Sequence, residues 1–246
     1  MYHLAQTKVI ITGNRIFTHS EWYNKFIKLI GRNHFVMFRI LFLEGPMSSA
    51  KTASLLADRF DHQAQGIKTI LLTPKTDTRN GVRTISSRLG VSAKADAVIT
   101  SWNQQLQKIC DQAFADDAII YIDECQFLNY QTVKDISNYC HQLVRKSDHP
   151  KTYFKVMAYG LLKDYHNQMF DGSRAWLEEA DKIVSFETNC KYPGCDRKAT
   201  CNFLKVTDRV SPDSNIVIGD KEFISVCQYH YHLLSQVAVN SKGRGN

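Results

Sequence analysis

The strongest constraint on this chain is an octapeptide set between two periodic segments. Ile40–Glu44 is a short apolar run ending in an acid. Gly45-Pro46-Met47-Ser48-Ser49-Ala50-Lys51-Thr52 follows at once, and the next residues, ASLLADRF, repeat apolar positions at helical spacing. Strand, glycine turn, Lys-Thr and helix is the setting in which a chain cradles phosphate. Loop N–H groups and the helix N-terminus attract the anion, the Lys51 ammonium reaches its outer oxygens, and the Thr52 hydroxyl ligates Mg²⁺. The pattern is of the Walker A type with one departure, alanine in place of the usual second glycine at position 50. A left-handed backbone there is strained by the Cβ that glycine lacks.

A second signal lies some 70 residues further on. Ala118–Ile122 is an apolar run that ends in Asp123-Glu124-Cys125-Gln126-Phe127, a Walker B pattern. On an extended strand adjacent side chains face opposite ways, so the two acids are expected to take different tasks. Asp123 is expected to act on Mg²⁺ or its waters. Glu124 is then free to face an acceptor hydroxyl or a water as general base.

These two signals sit in a chain segment, residues 39–185, that alternates apolar runs with helical patterns. Strands are expected at Ile40–Glu44, Thr69–Thr73, Ala97–Thr100, Ala118–Ile122 and Phe154–Tyr159, with helices after Lys51, Trp102 and Tyr130. Such alternation predicts an α/β fold with a mostly parallel sheet. Residues 1–38 form an extension in which 22–30 reads as a short amphipathic helix. Residues 186–240 change to short β runs (Thr200–Val206, Asn215–Ile218, Phe223–Val226) and a final helix near Tyr229–Val239, before a polar tail, 241–246.

The net charge of +7 raises the question of a nucleic-acid partner. Its location answers differently. Residues 1–38 carry five basic residues against one acid, Glu21, and the tail adds Lys242 and Arg244, leaving the body almost neutral. A nucleotide enzyme with basic ends fits this better than a nucleic-acid binder. Hydrophobic residues at 43% and charged residues at 22% exclude a disordered chain. No apolar run approaches the roughly 18 residues that span a bilayer, so no membrane partner and a cytoplasmic location are expected.

Four of the seven cysteines crowd the last 60 residues, which points to metal binding in a reducing compartment rather than a disulfide scaffold. Cys190 and Cys195 form a turn-bearing pair with four intervening residues. Cys227 and His230, two residues apart, supply a second pair. Two short-spaced pairs are how a structural zinc ion obtains three sulfurs and one nitrogen. Cys201 and His232 stand close enough in sequence to be rival ligands.

The ordered set GPMSSAKT (45–52), DTR (77–79), SSRLG (86–90), DECQF (123–127), AYGLLKDY (158–165) with Phe170, DKIV (181–184), Cys190/Cys195 with RKAT (197–200), IVIG (216–219) and SVCQYH (225–230) resembles the type II thymidine kinases. The resemblance spans about residues 39–235. It implies a P-loop, RecA-like α/β domain with a small C-terminal zinc-binding lobe carrying a lasso-type loop, here 199–225. The implied reaction is transfer of the ATP γ-phosphate to the 5′-hydroxyl of thymidine, with ATP and Mg²⁺ as co-substrate and Zn²⁺ as structural ion. Carried over, the ATP-binding residues are Gly45, Pro46, Met47, Ser48, Ser49, Ala50, Lys51, Thr52, Asp123, Glu124, Cys125 and Gln126, with Thr52 and Asp123 on magnesium. Glu124 takes the 5′-OH proton, and Asp77 and Arg79 lie near the transferring phosphoryl. Met47, Phe127, Leu161, Asp164, Tyr165, Phe170, Val217, Gly219 and Phe223 match the nucleoside pocket. The zinc ligands are Cys190, Cys195, Cys227 and His230. The resemblance also implies a homotetramer and inhibition by thymidine triphosphate.

Two other functions compete. Asp-Glu-Cys-Gln is similar to the acidic box of nucleic-acid-dependent ATPases, but residues after 185 are too few to build the second motor lobe. A nucleotide-binding protein without activity is suggested by Ala50 alone, against the retention of Lys51, Thr52, Asp123 and Glu124.

Overall fold

The computed structural model describes residues 9–12, 15–18, 38–75, 83–147, 151–205 and 223–242. Asp77, Arg79, Val217 and Gly219, the expected helix at 22–30 and the expected strand at 215–218 lie outside them. One compact unit holds an antiparallel hairpin of β1 (Val9–Thr12) and β2 (Arg15–Thr18), with Val9 opposite Thr18 and Thr12 opposite Arg15. A second unit holds all the other described elements.

The core of that second unit is a six-stranded sheet: β3 (Arg39–Glu44), β4 (Thr69–Pro74), β7 (Ala97–Ile99), β8 (Ile119–Ile122), β9 (Lys155–Gly160) and β10 (Lys182–Ser185). Its order is β10-β3-β9-β8-β4-β7, and every pairing is parallel. Parallel strands need crossovers, which cover both faces and bury the strands. This explains why Ile119–Ile122 reads as an unbroken apolar run: all four residues are buried.

The crossovers are α1 (Lys51–Ala64), α2 (Gln104–Ala115), α3 (Tyr130–Arg145) and α4 (Asp171–Glu179). Asn103 begins α2 by accepting the Leu106 N–H at 3.0 Å, and Asn129 begins α3 by accepting that of Thr132 at 2.7 Å. Such side-chain caps satisfy amides that the helix itself leaves unpaired. Helix α1 has no side-chain cap, so its first-turn amides stay open to a ligand. Helix α3 buries Val133, Ile136, Cys140 and Val144 at intervals of three and four, and α4 buries Trp176.

The five strands expected in this sheet all form, each within a residue or so of its expected bounds. Besides the β1–β2 hairpin, four other strands and helices carried no expectation. The short hairpin of β5 (Thr84–Ser86) and β6 (Ser92–Lys94), helix α4 and edge strand β10 are brief and only partly buried, so their periodicity is weak. Beyond the sheet, β11 (Cys201–Leu204) and β12 (Phe223–Val226) pair antiparallel and lead into α5 (Gln228–Lys242). This small lobe has its own cluster of Cys190, Cys201, Val226 and Cys227, with Tyr192, Phe203 and Leu234 packed on it.

Candidate active site and metal centre

Register brings the functional loops to one end of the sheet. Glu44 at the end of β3 lies beside Gly160 at the end of β9, and Ile122 at the end of β8 lies beside Ala158. The segments leaving these strands therefore emerge together: the phosphate loop after β3, the acid pair after β8, and Leu161 onward after β9. In parallel α/β sheets ligands bind at this carboxyl end.

The phosphate loop is tightly built. A Cβ on Gly45 would sit 2.6 Å from the Phe186 carbonyl oxygen and 2.9 Å from Ser49 Oγ, so no larger residue fits. Ser48 and Ala50 both take left-handed backbone, with φ of 61° and 64°. The strain expected of alanine at position 50 is therefore present. Lys51 Nζ donates to the carbonyls of Gly45 and Pro46, both at 2.8 Å, and to Ser49 Oγ at 3.3 Å. Burial lowers its ammonium from an ordinary 10.5 to about 8, against the opposing pull of Glu124, Asp123 and Glu44. Arg88, at the tip of the β5–β6 hairpin, donates to Ser48 Oγ. It thereby brings a second cation to the loop.

The two acids occupy different settings, for a reason strand alternation does not supply. Strand β8 stops at Ile122, and Glu124 itself adopts a left-handed backbone, φ 49° and ψ 40°, that opens a 3-10 turn over Cys125–Phe127. Asp123 is buried and accepts from Thr52 Oγ1 at 3.2 and 3.3 Å, joining the start of α1 to the end of β8. A hydroxyl and a carboxylate this close offer the hard oxygen donors that Mg²⁺ requires. Glu124 is held from the side: Gln126 Nε2 donates to its Oε2 at 2.7 Å, while Gln126 Oε1 accepts the Leu161 N–H at 3.0 Å. The Leu161 amide can only donate, so it fixes the orientation of the Gln126 amide and aims the NH₂ at the carboxylate. Gln126 is 2% exposed. Gly160 leaves room for it, since a Cβ there would meet Gln126 Oε1 at 2.5 Å. Burial and the two acids raise the Cys125 thiol well above its ordinary range, so it stays protonated.

Several of the expected pocket residues touch one another. Phe127 and Phe170 meet edge-on, ring centres 5.9 Å apart, and Tyr165 lies 6.1 Å from Phe223. Tyr231, on α5, donates its hydroxyl to the Tyr165 carbonyl at 2.9 Å. Asp164 accepts from the amides of His166 and Gln168, both at 2.9 Å, and so fastens its own loop. Met47 is gripped from the small lobe: Asn202 Oδ1 accepts its N–H at 2.8 Å and Ser225 Oγ donates to its carbonyl at 2.6 Å. No role was expected of Asn202 and Ser225, which lie 155 and 178 residues from their partner; Ser225 entered only as the first residue of the SVCQYH motif. Arg88 was present only as part of the SSRLG motif.

In the lobe, Cys190, Cys195, Cys227 and His230 present ligand atoms all within 4.8 Å of one another. Cys190 Sγ is 3.6 Å and Cys227 Sγ 3.3 Å from His230 Nδ1, and the Cys195 and Cys227 sulfurs are 4.0 Å apart. Tetrahedral zinc bonds of about 2.3 Å to sulfur and about 2.05 Å to nitrogen call for separations of about 3.8 Å and about 3.6 Å. The donor set fits that ion. The Tyr192 ring stacks on His230 at 3.9 Å. The rivals point elsewhere: Cys201 donates to Asn167 and Gln228, and His232 meets Gln228.

The thymidine kinase family model matches residues 38–231. A thymidine kinase of Lactobacillus acidophilus is 34% identical over 204 residues, covering 79% of this chain and 96% of that protein. One from Yersinia pseudotuberculosis is 32% identical, covering 79% and 95%, and that of Enterobacteria phage T4 is 30% identical, covering 81% and 98%. The match begins where the sheet begins and excludes the N-terminal hairpin.

Proposed function

This chain belongs to the thymidine kinase family, and from that premise we infer that it transfers the γ-phosphoryl group of ATP to the 5′-hydroxyl of thymidine. The observation that carries the inference is the hydrogen bond from Thr52 to Asp123. It joins the phosphate loop to the acid pair inside the stretch that matches the family, which supports one shared site. In the transfer, the thymidine 5′-oxygen bonds to the γ-phosphorus, the bond to the β–γ bridging oxygen breaks, and ADP leaves with that electron pair.

The chain's own groups supply positioning and charge, which is most of what phosphoryl transfer asks of a protein. The loop amides and the uncapped start of α1 receive the phosphates. In this structure Lys51 holds loop carbonyls; incoming phosphate oxygens offer it a stronger, charged partner. Thr52 and Asp123 would hold Mg²⁺, which when bound neutralises charge on the β- and γ-phosphates. Glu124, held by Gln126, takes the 5′-OH proton. Asp77 and Arg79 are assigned to the phosphoryl region. Phe127, Leu161, Tyr165, Phe170 and Phe223 wall the base, and Val217 and Gly219 are assigned to substrate contact by the family resemblance. The flat apolar rings suit a pyrimidine face.

We assign zinc to the Cys190–Cys195–Cys227–His230 group as a closed structural ion, with domains at 39–185 and 186–240 beside the extension, 1–38, and the tail, 241–246. Three thiols that must stay reduced suit the cytoplasm, and a homotetramer is what the family resemblance implies. Among the described residues no helix is long and apolar enough to cross a membrane. The test is a panel of deoxynucleosides incubated with ATP and Mg²⁺. Thymidine should yield its 5′-monophosphate and stoichiometric ADP. ATP consumption that ignores nucleosides and responds to DNA or RNA would replace this reading with the motor ATPase.

A further inference from the structure

Asn202 and Ser225 face each other across the β11–β12 ladder as register partners, and both are buried, at 4% and 2% exposure. From that position they take both backbone groups of Met47, the N–H by Asn202 Oδ1 and the carbonyl by Ser225 Oγ. The Met47 N–H can only donate, so it fixes the Asn202 amide and turns Nδ2 toward the Lys163 carbonyl, 3.4 Å away. One cross-strand pair thus ties the phosphate loop to the small lobe, and its Asn also reaches the loop that carries Leu161 and Tyr165.

We propose that Asn202 and Ser225 are positioning residues for ATP, holding the phosphate loop in its anion-binding shape through the peptide planes on either side of Met47. Met47 immediately precedes Ser48, the first of the two left-handed residues of the loop. A residue in such a conformation persists only where its surroundings over-determine it. Within the loop itself Lys51 restrains Gly45, Pro46 and Ser49, whereas Met47 is restrained from outside. The outside anchor is stiff because the metal ligands flank it: Lys191, next to Cys190, donates its N–H to the Ser225 carbonyl at 2.9 Å, and Cys227 follows two residues on. The pair touches no reacting atom, and the effect that its two members share passes through Met47.

The proposal rests on the kinase reading, and the wild-type protein separates the two: failure to phosphorylate thymidine would remove that reading before any variant is made. With active wild type, Ser225→Ala deletes the hydroxyl and leaves the Met47 carbonyl without this donor. The loss of one such bond should raise the ATP KM about tenfold, with the thymidine KM changed less than about threefold. Equilibrium binding of a non-hydrolysable ATP analogue should weaken in step. Ser225→Thr, which restores the hydroxyl, should recover most of the affinity. Asn202→Leu removes the acceptor at similar size and should act in the same direction. The double variant should fall short of the product of the two single effects, because both act on one residue. Ser225→Ala that melts like wild type yet keeps both KM values within twofold would overturn the proposal. So would an equal rise in both KM values that Ser225→Thr does not reverse, since that is the signature of general loosening.

Discussion

Ala50→Gly should stabilise this protein, although it removes a methyl group from a functional loop. Ala50 sits at φ 64° and ψ 20° just before α1, with no side-chain capping bond. For a residue with a Cβ, the left-handed backbone costs about 1–2 kcal/mol. Glycine removes that cost but gives back about 0.5–1 kcal/mol through the greater freedom of its unfolded chain. Ala50 is exposed, so losing its methyl opens no cavity. The net expectation is a gain of about 0–1.5 kcal/mol, centred on about 0.75 kcal/mol, and for a chain of this size the central value is about 1.5–3 °C in melting temperature. Thermal unfolding of the metal-loaded protein without nucleotide reads it directly. Ala50→Val is the paired control, because a β-branched residue tolerates positive φ worse than alanine. It should melt lower than wild type. A Gly variant that melts below wild type, together with a Val variant that matches it, would refute the strain reasoning.

Three further perturbations probe separate parts of the site. Glu124→Gln keeps the size of the side chain and an oxygen for the Gln126 donor, so ATP binding should persist while kcat falls at least a hundredfold; near-normal kcat would end the general-base role. Lys51 releases its proton at about 8 in the folded state but keeps it to 10.5 when unfolded. Between those values the unfolded chain binds more protons, so raising pH favours the fold. Wild type without nucleotide should therefore gain stability relative to Lys51→Met from pH 8 to about 10, and parallel denaturation curves across that range would contradict the buried-cation account. Chelation should release one zinc per chain, lower the melting temperature and loosen α5; a metal-free protein with an unchanged melt would reject the structural ion.

Much of the site was legible in the sequence because its signals are local. The phosphate loop is one octapeptide whose chemistry depends on its own amides and on the helix that follows. The acid pair is marked by the four-residue strand before it. The Cys190/Cys195 and Cys227/His230 pairs each lie within a single turn or helix start. Parallel strands buried on both faces announce themselves as unbroken apolar runs, so the sheet was also readable. Less legible were β10 and the β5–β6 hairpin, whose few half-exposed residues carry almost no period.

The sequence by itself determined which groups this protein carries: a phosphate-loop octapeptide, two adjacent acids at a strand end and a thiol-rich lobe. Tertiary structure decided how those parts are held. Strand order places one strand, β9, between the phosphate-loop strand and the acid-bearing strand, and from its end Leu161 sets the orientation of Gln126 and so of Glu124. The difference in setting between Asp123 and Glu124 comes from a left-handed turn, not from strand alternation. The grip on Met47 joins residues more than 150 positions apart. A hydrogen bond between distant segments leaves no periodic trace in either, so only the folded chain reveals it.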